Sequence, residues 1–197
     1  MEKSTDTQMT VDLEFTPNPN TLKYVVSKVL LLAGAENFKT PESAQGNSEI
    51  ATSLFSIKGI SQVMVGKNFV TVTLGDQDSL TELNDQIIQN IKDFLATGHP
   101  AVNPEYLKKK ADLATQIREG DPDSIENRIQ KILDDEIRPA VAMDGGDITF
   151  DRFQEGVVFL HMKGACAGCP SSTATLKMGI ENRLKDAIPE VIEVVAV

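Results

Sequence analysis

Val157-Val158-Phe159-Leu160-His161-Met162-Lys163-Gly164-Ala165-Cys166-Ala167-Gly168-Cys169-Pro170-Ser171-Ser172 passes from an apolar, β-branched run through a loop of small residues into a helix start. Residues 157–162 have the composition of a strand. Pro170, with Ser171 or Ser172, supplies the first-turn proline and capping hydroxyl of a helix, in which Leu176, Ile180, Leu184 and Ile188 recur every four residues. Upstream, 147–153 forms a hairpin with 157–162 around Glu155-Gly156. A helix before it opens at Pro122, is capped by Asp123 or Ser124, carries Ile125, Ile129, Ile132, Leu133 and Ile137 on one face, and ends at Pro139. With 191–197 as a last strand, the order is α-β-β-α-β.

Farther out, Val11-Asp12-Leu13-Glu14-Phe15 alternates as a half-buried strand and is halted by Thr16-Pro17-Asn18-Pro19-Asn20. A helix is expected over 21–32, stopped by Gly34, and another over 48–55. A hairpin follows, 62–65 and 69–74 about Gly66-Lys67-Asn68, and then a helix with Leu80, Leu83, Ile87, Ile88, Ile91 and Leu95 in phase. Residues 98–121 read as a linker with a short helix, whose Lys108-Lys109-Lys110 run is a solvated face. The fold class expected is α+β, two small α/β-type domains over 11–97 and 122–197.

A hydrophobic content of 41% suffices for a core in each. The formal charge of −10 argues against nucleic-acid and anionic-membrane surfaces, which need a positive field. The most apolar run, 25–33, is broken by Ser27 and Lys28 and is too short to span a bilayer. Residues 1–10 are polar and resemble neither a signal nor a transit peptide, so the location expected is cytoplasmic.

Cys166 and Cys169 are the only cysteines. In a reducing compartment, a pair this close staples nothing useful, which leaves metal or redox use. A tetrahedral thiolate site takes about four ligands. The chain therefore supplies half a site. Lys163 and the N-terminus of the following helix are expected to lower the thiol pKa, and Gly164, Ala165, Ala167 and Gly168 leave room for an object larger than one ion. His99 and His161 are the only histidines and neither has ligand spacing; His161 should face opposite to Leu160 in its strand. A symmetric dimer pooling four thiolates around an iron–sulfur cluster completes the site most economically. A zinc-bridged dimeric interaction module uses the same four sulfurs, and a dithiol oxidoreductase is a third reading. Met143-Asp144-Gly145-Gly146-Asp147 reads as a turn between helix and strand, and Ser171-Ser172-Thr173 as a cap. No hydrolase signature appears, and a non-enzymatic protein is expected.

From Gly164 to Ser172, and on through Thr175-Leu176-Lys177 and Gly179-Ile180-Glu181, the sequence closely resembles the NifU C-terminal domain of Nfu-type iron–sulfur cluster proteins. Ile137-Arg138-Pro139 and Asp144-Gly145-Gly146-Asp147 match that domain's upstream signature, and Phe15 to Lys23 resembles the start of the Nfu N-terminal domain. The resemblance implies a carrier or late scaffold that binds a cluster, most often [4Fe-4S] and alternatively [2Fe-2S], between two subunits. Cys166 and Cys169 would be the ligands, and the partners an upstream assembly scaffold and apo iron–sulfur clients. The cysteine-rich modules of full-length NifU are lacking here.

Overall fold

A computed structural model of the chain describes residues 9–75, 80–117, 123–167 and 170–197. It is built on two sheets. The first is antiparallel, ordered β1-β2-β5-β4-β3, from β1 (Val11–Phe15), β2 (Thr21–Val26), β3 (Glu36–Phe38), β4 (Ile60–Val65) and β5 (Phe69–Leu74). The second has order β6-β7-β8, from β6 (Gly146–Gln154), β7 (Val157–Gly164) and β8 (Glu193–Ala196), with β8 parallel to β7.

The expected helix over 21–32 is replaced by β2. Leu22, Tyr24 and Val26 alternate onto the apolar face, and β1 and β5 satisfy the backbone from both sides. A short apolar run buried on both faces loses the period that separates strand from helix, and β-branched content then favours the strand.

Among the described residues, four helices accompany the first sheet: α1 (Pro41–Ala44), α2 (Glu49–Phe55), α3 (Leu80–Thr97) and α4 (Pro104–Ile117). Ser48 caps α2 by accepting from the Ala51 N–H at 3.2 Å and donates to the Ala101 carbonyl at 2.7 Å. Ile50, Leu54, Ile87, Ile91 and Leu95 pack on Leu22, Tyr24, Val63, Val65, Val70 and Val72. Tyr106 and Leu107 of α4 join this core, and Lys110 of α4 pairs with Glu36.

Before the second sheet come α5 (Ile125–Ile132), a π-helical turn (Leu133–Ile137) and α6 (Arg138–Met143). Ser124 caps α5, as the sequence suggested, while Pro122 lies outside the described residues. Pro139 does not end the helix. The Arg138 N–H reaches back to the Leu133 carbonyl in the wide π register, and Pro139 falls in the first turn of α6, where its missing N–H costs little. The β6–β7 turn has Glu155 at φ 51° and Gly156 at φ 83°, the two positive values of a tight hairpin. α7 (Pro170–Ala187) lays Ile180 and Leu184 on Ile129, Leu133, Ile148, Val158 and Leu160. The order α-β-β-α-β is observed.

Candidate metal centre

The cysteine loop leaves β7 at Gly164 and folds back on the strand opposite. Gly164 is at φ +60° and pairs in register with Gly146. The Ala165 N–H donates to the Gly145 carbonyl at 3.1 Å and the Ala167 N–H to Gly164 at 3.0 Å. Gly145, at φ +75°, ends the turn after Asp144, as the sequence suggested. Its neighbour Gly146 does something the sequence did not show. A Cβ at Gly146 would overlap the Cys166 Sγ, so the diglycine is also the bed of the thiol.

Cys166 is 7% exposed. Burial pushes its thiol up from 9.0 to about 11, and the charges of Asp144 and Asp147 push the same way. The expected lowering is thus reversed at Cys166, because burial and then two neighbouring carboxylates all disfavour the thiolate. Lys163 is itself held below its ordinary value by burial, with Lys110 adding to the effect. Cys169, and the approach of the helix N-terminus to it, lie outside the described residues.

Asp147 is nearly buried and accepts from Arg138 Nε at 2.8 Å and Nη2 at 3.2 Å, while Arg138 Nη1 donates to Asp134 at 2.8 Å. Burial alone would lower the Arg138 pKa, but the hydrogen bond and charge of Asp147, then those of Asp134, raise it overall. This clamp ties the π turn to the start of β6, where Cys166 rests. The Asp134–Arg138 i,i+4 spacing was its one sequence signal. His161 is exposed, opposite in facing to buried Leu160, with Nδ1 3.1 Å from the Val197 carbonyl; His99 pairs with Glu49. Among the described residues, no three His, Cys, Asp or Glu side chains converge as a metal site.

The first sheet lies over this loop. Cross-strand register places Glu14, Lys23, Thr71, Met64 and Asn37 in one row across all five strands. Lys23, 8% exposed, donates to the Met143 carbonyl at 2.7 Å, pairs with Glu14 at 2.8 Å and sits 5.2 Å from the Phe69 ring centroid. A cation at the carboxyl end of α6 also meets its dipole favourably. Cβ atoms at Gly145 and Gly164 would come within 2.9 Å of Thr71 Cγ2 and 2.8 Å of Met64 Cε, respectively. Asn18 Nδ2 donates to the Ala167 carbonyl at 2.8 Å. Thr71 Oγ1 and both polar atoms of the Asn37 side chain are buried without a hydrogen-bond partner among the described residues. Each such orphan costs about 1–3 kcal/mol.

The NifU-like domain profile matches residues 129–195, and the profile for the scaffold protein Nfu/NifU N terminus matches 11–98. "NifU-like protein 4, mitochondrial" of Arabidopsis thaliana is 40% identical over 93% of this chain and 64% of its own length. "NFU1 iron-sulfur cluster scaffold homolog, mitochondrial" of Homo sapiens is 38% identical over 93% of this chain and 70% of its own. The chain thus spans about two thirds of these relatives. The solution structure of a NifU-like protein from Saccharomyces cerevisiae aligns with 53% of this chain and 94% of its own at 20% identity and TM-score 0.46. The cytoplasmic expectation is overturned by the relatives, which are named mitochondrial proteins; the polarity of residues 1–10 does not decide compartment.

Proposed function

We propose, from the premise that this chain belongs to the Nfu/NifU scaffold family, that it carries an iron–sulfur cluster as cargo. The cluster, [4Fe-4S] in this reading, is held by Cys166 and Cys169 of two copies and passed to apo-proteins. Residues 11–97 and 122–197 act as two domains joined through 98–121. The observation that carries the reading is the thiol bed: Gly146 and the small-residue loop reserve space for sulfur at a place where one chain supplies too few ligands.

Binding requires thiolates, so each cysteine gives its proton to solvent as iron takes its place. For Cys166, with a thiol near 11 in the apo chain, iron must supply the driving force. Transfer then proceeds by exchange, one client thiolate replacing one ligand at a time, and the two-fold shared site comes apart as the ligands leave. The upstream partner is a protein that assembles the cluster.

Anaerobic reconstitution with iron and sulfide tests this, followed by metal and sulfide analysis, native mass and Mössbauer spectroscopy. A dimer with four iron and four sulfide is expected. A monomer retaining no iron overturns the reading, and a zinc-loaded dimer without visible absorption replaces it. Cys166→Ser and Cys169→Ser should each abolish cluster retention while far-UV circular dichroism stays near that of the parent.

A further inference from the structure

The row Glu14, Lys23, Thr71, Met64 and Asn37 is mostly polar, with Thr21, Thr73 and Gln62 on one side of it and Val25 and Phe69 on the other, where Met64, Phe69 and Ala142 meet, while the opposite face of the same sheet is Leu22, Tyr24, Val26, Val63, Val65, Val70 and Val72. An antiparallel sheet with one apolar and one polar face is built to leave the polar face wet. Here that face is covered: Lys23 is 8%, Thr71 1% and Met64 1% exposed. What covers it is the turn and loop around Cys166. The fit is close, with Gly145 against Thr71 and Gly164 against Met64, yet the Thr71 hydroxyl under it and the Asn37 amide at the end of the row have no partner among the described residues. Buried polar groups without partners are few in any fold, and in a contact that opens water satisfies them.

The contact also flanks Cys166 in sequence. Met64 lies against Gly164 before it, and Asn18 Nδ2 holds the carbonyl of Ala167 after it, between the two cysteines. We propose that the amino-terminal unit is a reversible lid on the cysteine loop: the outer row of its sheet, with Asn18, clamps the loop shut, and a second copy and a cluster reach it only when the lid lifts. Lifting rehydrates the polar row. This rests on the cluster reading above and names the regulation of that site.

One position tests it in both directions. Thr71→Val removes the stranded hydroxyl without changing shape and favours closure; Thr71→Arg cannot fit against Gly145 and favours opening. In a Cys169→Ser background Cys166 is the sole thiol; it packs in the core of its own unit, and its alkylation by iodoacetamide in the apo chain reads access to the loop that the lid clamps at Gly164 and Ala167, without any metal. The valine variant should react about fivefold more slowly, as expected for removing one unpartnered buried polar group, and the arginine variant about tenfold faster or more. A folded arginine variant that reacts at the parent rate overturns the lid. Should that variant fail to fold, the valine variant decides alone: an unchanged or faster rate overturns it. With both cysteines present, iron loading should follow the same order, and loading that ignores the alkylation order overturns the regulatory role. Alkylation in the expected order with no iron bound by any variant supports the lid and removes the cluster reading.

Discussion

Gly146→Ala is a sharp probe of where the thiol lies. Gly146 is outside the left-handed region, so alanine meets no backbone penalty, and the loss of glycine's unfolded-state freedom should stabilise by about 0.4–1 kcal/mol. Against this, the new methyl would overlap the Cys166 Sγ and sit 3.1 Å from its Cβ. Overpacking of this kind costs about 1–3 kcal/mol. The clash wins, leaving a net loss of about 1–2 kcal/mol, which lowers protection by roughly 5–30-fold. Hydrogen exchange read on peptides of β6 and β7 localises the effect to the sheet that holds the loop. In a Cys166→Ala background the sulfur is gone and the same substitution should cost much less, with only the 3.1 Å approach to the residue-166 Cβ and 3.2 Å to the Lys163 carbonyl left. An equal cost in both backgrounds would refute the placement of the thiol in the glycine bed.

Arg138→Met leaves the buried Asp147 carboxylate without its partner and should destabilise the same sheet by about 3 kcal/mol, somewhat less where water reaches the partly exposed guanidinium site; adding Asp147→Asn should recover part of that, read by the same exchange peptides. Alkylation of apo Cys166 in the Cys169→Ser background should keep rising tenfold per pH unit up to about 11 rather than levelling near 9.0. The linked stability follows in sign: below pH 9 folded and unfolded thiols are both protonated and nothing changes, whereas between 9 and about 11 only the unfolded thiol ionises, so stability falls there. Ser48→Ala removes both the cap on α2 and the bond to the Ala101 carbonyl, and thermal unfolding should show a loss of about 1–3 kcal/mol.

Where local chemistry is decisive, the sequence was legible. Ser124 caps the helix it precedes, Glu155-Gly156 turns the second hairpin, and the isoleucine and leucine spacing of α7 finds its core. The pairing of two cysteines in a small-residue loop ahead of a helix could be read directly. Residues 21–26 could not, because their neighbours β1 and β5 arrive from other parts of the chain and hide the period. Pro139 misled for a related reason: the π turn that accommodates it depends on the Leu133 to Arg138 hydrogen bond, which no propensity encodes.

By itself, then, the sequence determined most of the elements, the close cysteine pair and the family likeness, all of which depend on residues close in the chain. The tertiary structure decided the state of the site. Gly146 lies beneath Cys166 through strand register, Arg138 reaches Asp147 across the start of β6, and Asn18 holds Ala167 from 149 residues away. A thiol's burial and charge depend on everything packed within a few ångströms of it. That packing brings together segments whose order in the sequence does not say they will meet.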